Sequence, residues 1–556
     1  MKPKMKPHPS AIICFAIFAR LAIFAVLAAL VASLAPSAAN AAAAAPAARA
    51  AAAPVTLAVD TRRTAQEILG FGASGCWWAQ EIGGWPEAKR RELMRLLYDK
   101  KTGIGLTIYR HNLGADTLDD PTIGKPGSLH RAQSMLDTKT GRFDWSRDAN
   151  ARRILRDAVD AGAEEVILFV NSPPVSMTIN GHGRGTKQPD GKKATNLAPA
   201  RYADFAKYLG EITEHFLRAD KLPIVKLSPV NEPNVGWDTA KQEGCFYTPQ
   251  QTVGVLKAVL AELKRRDLPV TLEVAENATW KEAQPYFQAM RNAPVLRDAL
   301  ADFCLHSYMM EGGSSPANKQ KLRDWFDKNC EGVRLHMSEW CDVRHGVGPD
   351  MDGALPMVRV MMQDLTIGRV STWQQWVAAS NVESHDALVH YDSKTRKITL
   401  TKRYWVMGQF SRNLPKGTVM LGMKSPDANA PALAARRPDG SVVVICANLS
   451  AAPKTLDIQF PKNENWNPQT RSLTDDKNDN TVSACESADA DGGASAGGAS
   501  ADDAVSADGS AGGSADGAGS AGGSADGNAS AGAGENADWK TLPPQSVVAI
   551  VFGKVK

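Results

Sequence analysis

The sequence predicts an α/β fold: a closed (β/α)8 TIM-type barrel with an appended β-sandwich module. Three observations carry this. Apolar runs alternate with helical periodicity from Ile68 to Trp376, the pattern of a parallel sheet covered by helices on both faces. Eight runs can be counted, and each ends in polar or aromatic residues on its C-terminal side, where such a barrel builds its site. After Trp376 short strands follow, separated by Pro, Asn and Asp-Gly, the texture of a sandwich.

In order, Val55 to Val59 alternates apolar and polar residues like a half-buried strand. It precedes the barrel and is expected to join the β-module. Ile68 to Ser74 is a strand running into a Gly-rich turn. A helix over Pro86 to Tyr98 puts Leu93, Leu96 and Leu97 on one face. Ile104 to Tyr109 is β-rich and ends in Arg110-His111-Asn112. A helix over Asn150 to Ala161 aligns Ile154, Leu155 and Ala158. The strand Glu165 to Val170 ends in Asn171-Ser172-Pro173-Pro174, and a helix over Ala200 to Arg218 is closed by Pro223. Ile224 to Leu227 runs to Asn231-Glu232-Pro233, where Pro stops the ladder. A helix over Thr248 to Arg265 precedes a strand Val270 to Val274, which ends near Glu276-Asn277. Phe303 to Leu305 ends in His306-Ser307-Tyr308. A helix over Asn318 to Asn329 leads to Val333 to Trp340, closing in Ser338-Glu339-Trp340. A last helix over Met357 to Thr366 leads to Arg369 to Trp373, ending near Gln374-Gln375-Trp376.

In the second module, 397–400, 432–435, 441–446, 455–460 and 545–552 read as strands, and Asp439-Gly440 marks a hairpin. Residues 486–537 are Gly, Ser, Ala and Asp with almost nothing to bury, and are expected to form a disordered acidic insertion within this module. The domain reading is thus a barrel over 68–395 and a β-module made of 55–67 and 396–556.

The N-terminus carries Lys2, Lys4 and Lys6, an apolar stretch from Ala11 to Leu34, and Ala39-Asn40-Ala41. This is the pattern of a secretory signal over 1–41, followed by an Ala-rich spacer over 42–54. An uncleaved anchor is the alternative, because the apolar length just suffices. The expectation is a secreted protein, extracellular or periplasmic, with no stable membrane association after cleavage. Net charge is +4 with no later basic run, which argues against a nucleic-acid partner. Cys14 lies in the leader. The other cysteines, Cys76, Cys245, Cys304, Cys330, Cys341, Cys446 and Cys485, are odd in number, so at least one thiol stays unpaired.

Glu232 and Glu339 end two separate strands amid amide and aromatic neighbours. Glycoside hydrolysis needs such a pair: one carboxylic acid protonates the leaving oxygen, and one carboxylate attacks the sugar carbon or activates water. Strict alternation puts Leu335, Met337 and Glu339 on one face, read as the barrel interior, and His336 on the other. One metal ion therefore cannot hold both His336 and Glu339. No H-E-x-x-H or G-x-S-x-G is present, and Gly181-His182-Gly183-Arg184-Gly185 reads as a flexible loop. The expected partner is a polysaccharide or oligosaccharide.

Gly70-Phe71-Gly72-Ala73-Ser74, Asn171-Ser172-Pro173-Pro174, Asn231-Glu232-Pro233, His306-Ser307-Tyr308 and Ser338-Glu339-Trp340 resemble glycoside hydrolase family 30. Asn-Ser-Pro-Pro, Gln242-Glu243-Gly244-Cys245 and Asn196-Leu197 look most like its endo-β-1,6-galactanase branch. The resemblance implies retention of configuration, no metal and no cofactor. It implies Glu232 as acid/base and Glu339 as nucleophile. Arg110 would keep Glu339 ionised, Asn231 would bond the sugar 2-hydroxyl, and Tyr308 would donate to Glu339. His306 and Asn171 would line the site, and Trp376 would form a platform; Trp77 and Trp78 fit the flank of the site and the core equally well. Val175 and Ser176 stand where the family often has an aromatic residue, which leaves the sugar open. β-1,6-Glucanase, xylanase and glucosylceramidase-type activities, and a catalytically silent glycan-binding protein, remain alternatives.

Overall fold

The computed structural model describes residues 53–344, 348–381, 387–485 and 539–555. The expected signal and most of the spacer, together with the 486–537 insertion, lie outside these. Eight parallel strands line the barrel: β1 Gly70–Ser74, β2 Ile108–Asn112, β3 Glu165–Phe169, β4 Ile224–Ser228, β5 in two pieces (Thr271–Leu272 and Val274–Asn277), β6 Asp302–His306, β7 Arg334–Trp340 and β8 Thr372–Ser380. Neighbours pair in sequence order, and β8 returns to β1. The first piece of β5 pairs with β4 and the second with β6, so the ring passes through β5 at Glu273.

Seven main helices, Glu87–Tyr98, Ala149–Ala161, Tyr202–Glu214, Pro249–Arg265, Trp280–Arg291, Pro316–Asn329 and Met351–Gln363, wrap the strands. Each turns an apolar stripe to the sheet: Ile154, Leu155 and Ala158 are buried as expected. On Glu87–Tyr98 the buried residues are Leu93, Met94, Leu97 and Tyr98, so the stripe is rotated away from Leu96. Pro249–Arg265 starts with a capping box in which Thr248 and Gln251 bond each other's backbone N–H.

The second module is a nine-stranded sheet in which Val55–Ile68 pairs with Thr418–Lys424 and, in parallel, with Lys454–Gln459. The Asp439-Gly440 hairpin joins Ala432–Arg436 to Val442–Asn448, and Gly440 takes φ +85°, a conformation open to glycine. Its core includes Leu57, Val444, Cys446, Leu456, Val548 and Ile550. One strand lies elsewhere than the sequence predicts. Ile398–Leu400 pairs with Ala387–Tyr391, which continues the barrel sheet beside β8. The helix Lys402–Ser411 follows it, packed on Met351–Gln363 and on the module's strands. Among the described residues no disulfide joins the seven cysteines, and no helix is long and apolar enough to cross a membrane.

Candidate active site

The residues singled out by sequence meet at the C-terminal mouth of the barrel. Arg110, on β2, is buried and forks: Nη1 donates to Glu339 Oε2 at 2.5 Å and Nη2 to Asn231 Oδ1 at 2.9 Å. Its guanidinium lies 3.7 Å from the Phe169 ring centroid and 5.9 Å from that of Trp376, an apolar bed that fixes the plane of the fork. Tyr308 donates its hydroxyl to Glu339 Oε1 at 2.9 Å. Asn231 Nδ2 donates to Asn171 Oδ1 at 3.0 Å, and Asn171 Nδ2 to Asn112 Oδ1 at 3.1 Å. Trp376 meets Trp77 edge-on at 5.4 Å, and Trp77 lies 4.2 Å from His130. Trp78 is instead core, its indole donating to the Ser74 carbonyl.

His306 stands between the carboxylates. Nδ1 is 3.0 Å from Glu232 Oε1 and 3.4 Å from Glu339 Oε1, while Nε2 is 3.0 Å from Glu276 Oε2. Burial disfavours a charged ring, but Glu339, Glu232 and Glu276 together lift His306 from 6.5 to about 10. At neutral pH it therefore carries both protons and donates from both nitrogens. Glu232, His306 and Glu339 offer ligand atoms within 4.8 Å of one another, and His306 bridges the two carboxylates across that space.

Glu276 was not recognised in the sequence. It is fully buried, bonded by His306, by Arg110 Nη2 at 3.3 Å and by the Ser338 hydroxyl. Burial opposes its charge, but Arg110 and His306 hold its carboxyl well below the usual range. Burial, helped by Glu232 and Glu276, raises the Glu339 carboxyl, while His306 and Arg110 pull it down. Arg110 thus acts in the expected direction, but burial outweighs it.

The parity reading of β7 is overturned. Leu335 and Met337 face the helices in the main apolar core, while His336 and Ser338 bond interior carboxylates. Between Leu305↔Met337 and His306↔Glu339 the register gains one residue on β7. This bulge brings Glu339 inward beside Ser338. Another extra residue, Glu276 itself, separates Ala275↔Cys304 from Asn277↔Leu305. Glu232 and Glu276 also take φ +42° and +57°, a region uncommon for non-glycine residues. The glycine-rich stretch at 181–185 is no loose loop: the Gly183 N–H donates to Asp120 Oδ2 at 2.7 Å, and His182 Nδ1 lies 3.1 Å from Asp120 Oδ1.

A parallel barrel that gathers two carboxylic acids and a cationic fork at its C-terminal mouth has the build of a glycoside hydrolase. Residues 54–303 match the model of O-glycosyl hydrolase family 30. A curated relative, an endo-β-1,6-galactanase of Hypocrea rufa, is 25% identical over 466 residues, spanning 77% of this chain and 91% of the relative. A conserved exported protein from Bacteroides fragilis shares the fold with a TM-score of 0.71 at 19% identity, covering 89% of this chain and 100% of its own. The catalytic domain of GH30 xylanase C from Talaromyces cellulolyticus does so with a TM-score of 0.63 at 16% identity, over 90% and 100%. Through residues 54–303 the chain is similar to O-glycosyl hydrolase family 30, and the likeness supports a glycosidase activity.

Proposed function

We propose that the protein is a retaining endo-β-1,6-galactanase that acts outside the cytoplasm, with Glu339 as nucleophile and Glu232 as acid/base. The observation that supports the retaining assignment is the closeness of the two glutamates, one oxygen of Glu232 lying within 4.8 Å of one oxygen of Glu339. Retaining pairs sit roughly 5–5.5 Å apart, while inverting pairs need about 6.5–9.5 Å to admit a water. The galactanase assignment is supported by the relative's activity and by the Gln242–Cys245 and Asn196-Leu197 motifs. The N-terminal pattern of basic, apolar and small residues supports export.

In the first step Glu339 attacks the anomeric carbon and Glu232 gives its proton to the leaving oxygen; in the second Glu232 takes a proton from the water that releases the sugar. Arg110 and Tyr308 each engage one oxygen of Glu339, which orients the carboxylate for attack. His306 engages Oε1 of Glu232, and among the described residues no hydrogen bond reaches Oε2, the oxygen placed to carry the proton. Asn231 spends one amide hydrogen on Asn171 and has a second for a sugar hydroxyl.

The test is hydrolysis of a panel of β-linked oligosaccharides, read by product length and by 1H NMR of the first-formed anomer. β-1,6-Galactooligosaccharides are expected to be cut internally with β product. Preference for another linkage refutes the galactanase reading, and α product refutes retention. Azide assigns the roles: with Glu232→Ala it restores turnover of an activated aryl glycoside and gives the β-azide, because azide needs no base. With Glu339→Ala it can attack only from the vacated face, giving the α-azide.

A further inference from the structure

We propose that Trp237 and Glu243 are positioning residues that hold Glu232 in its proton-delivering pose through the backbone. The inference rests on the acid/base reading of Glu232. Because Glu232 sits at φ +42°, its conformation has to be imposed by its surroundings. Its N–H donates to the Glu276 carbonyl at 2.9 Å, and its carbonyl accepts from Val235 N–H at 2.9 Å and from the Trp237 indole N–H at 3.3 Å. Among these, the Trp237 contact is the one made by a side chain.

Trp237 is itself clamped. A Cβ on Gly244 would fall 2.2 Å from its ring, and one on Gly185 2.9 Å from its Cβ. Both neighbours have to be glycine for the indole to lie where it does. The two flanks are tied to each other by Gly244 N–H donating to the Gly183 carbonyl at 2.9 Å. Glu243 locks the clamp to the loop after β2. Its Oε1, fully buried, accepts from the Ala115 N–H at 3.0 Å and the Thr117 hydroxyl at 2.7 Å, and Thr117 also receives the Ala132 N–H at 2.9 Å. Three loops, after β2, β3 and β4, thus converge on one indole that holds the backbone of Glu232. Neither Trp237 nor Glu243 is assigned a contact with the reacting atoms. Their effect is to fix where the carboxyl of Glu232 points.

A positioning role for the acid has a signature that lost folding lacks. Aryl glycosides with poor leaving groups need protonation in the first step, and activated ones do not. The experiment uses Trp237→Phe, which keeps a ring and removes the N–H, together with Glu243→Ala and Glu243→Gln. Each is assayed on aryl β-glycosides of graded leaving-group pKa, built on the sugar the wild type hydrolyses, with Glu232→Ala run alongside. Trp237→Phe and Glu243→Ala are expected to lose about 10-fold or more in kcat/KM on the poorest leaving group and little on the most activated one, a fraction of the 10²–10⁴-fold that a general acid typically contributes. Glu243→Gln, which retains the accepting oxygen, is expected to stay close to wild type. Equal losses across the series in both Trp237→Phe and Glu243→Ala overturn the proposal. If Glu232→Ala also shows no dependence on the leaving group, the acid/base reading itself has failed. If one variant does not fold, the other decides.

Discussion

Glu243 offers a stability test that needs no substrate. Burial, with a contribution from Asp120, raises its carboxyl from 4.5 to about 8, against the lowering bonds from Thr117, Ala115 and Ala132. In the unfolded chain the group titrates near its ordinary value. Between these two values the unfolded state has released its proton and the folded state still holds one. Stability attributable to this group is therefore complete below about pH 4.5 and declines as pH rises, by about 1.4 kcal/mol per pH unit, until the folded carboxyl ionises. Across the interval from 4.5 to about 8 this sums to a ceiling of about 5 kcal/mol. Glu243→Gln keeps an oxygen for Ala115 and Thr117 and cannot titrate. Asp148 and Glu339 are also raised by burial and tilt the stability of both proteins alike, so the difference between wild type and variant isolates Glu243. Urea unfolding at pH values of roughly 4.5, 6 and 8 measures it. The wild type is expected to lose several kcal/mol relative to the variant from the lowest to the highest pH. Parallel pH profiles would refute the claim that Glu243 is held protonated.

Two further outcomes follow from other parts of the molecule. Inside the barrel Lys226 lies 2.9 Å from His336 Nδ1, 3.4 Å from Asp302 and 3.8 Å from Glu273; Lys226→Met leaves buried carboxylates undercompensated and is expected to cost about 3–5 kcal/mol in urea unfolding, while a loss below about 1 kcal/mol would show that the cluster does not depend on this charge. Deleting residues 488–536 and closing the gap with a short linker is expected to leave yield, melting temperature and hydrolysis near wild type, because that composition has little to bury and long insertions add little closure entropy; loss of soluble protein would contradict it.

The parts of the fold legible in the sequence are those where local chemistry and tertiary packing agree. The strand ending at Asn231-Glu232-Pro233 is visible because an apolar run meets a residue that cannot extend a ladder. Two helices that are hidden in the sequence, wholly or in part, contain proline. Trp280–Arg291 holds Pro285, and Met351–Gln363 holds Pro356, after which the sequence reading began its helix at Met357. The residue before proline is biased away from helix, and here the apolar stripe of Met351, Ala354, Met357, Val358 and Met361, all buried, overrides that bias. Trp466–Thr474 and Asp479–Ala484 are hidden in the sequence for the opposite reason. Their residues are mostly polar and half-exposed, and their place is set by pairing with each other and with Ser546–Lys554, not by an alternation of their own.

The site itself shows where a period-two reading must fail. Alternation along β7 assigns Glu339 to the side of Leu335 and Met337, and one-residue slips reverse every later side chain. The register slips at Ser338, so Ser338 and Glu339 both reach the interior, one to bond Glu276 and the other to meet Arg110 and Tyr308. Glu276 is likewise the extra residue of a slip on β5, and Glu232 stands just beyond β4 in a conformation that few side chains adopt. Three carboxylates converge on His306 because the backbone departs from regularity at three positions around the rim, on or just beyond β4, β5 and β7. Each departure is held by partners beyond its own strand: Glu232 by the Glu276 carbonyl and the Trp237 indole of its own loop, Glu276 by Arg110 and His306, Glu339 by Arg110 and Tyr308. The identity of the two strand-end glutamates is thus local information, while the third carboxylate and the aim of all three are properties of the closed ring.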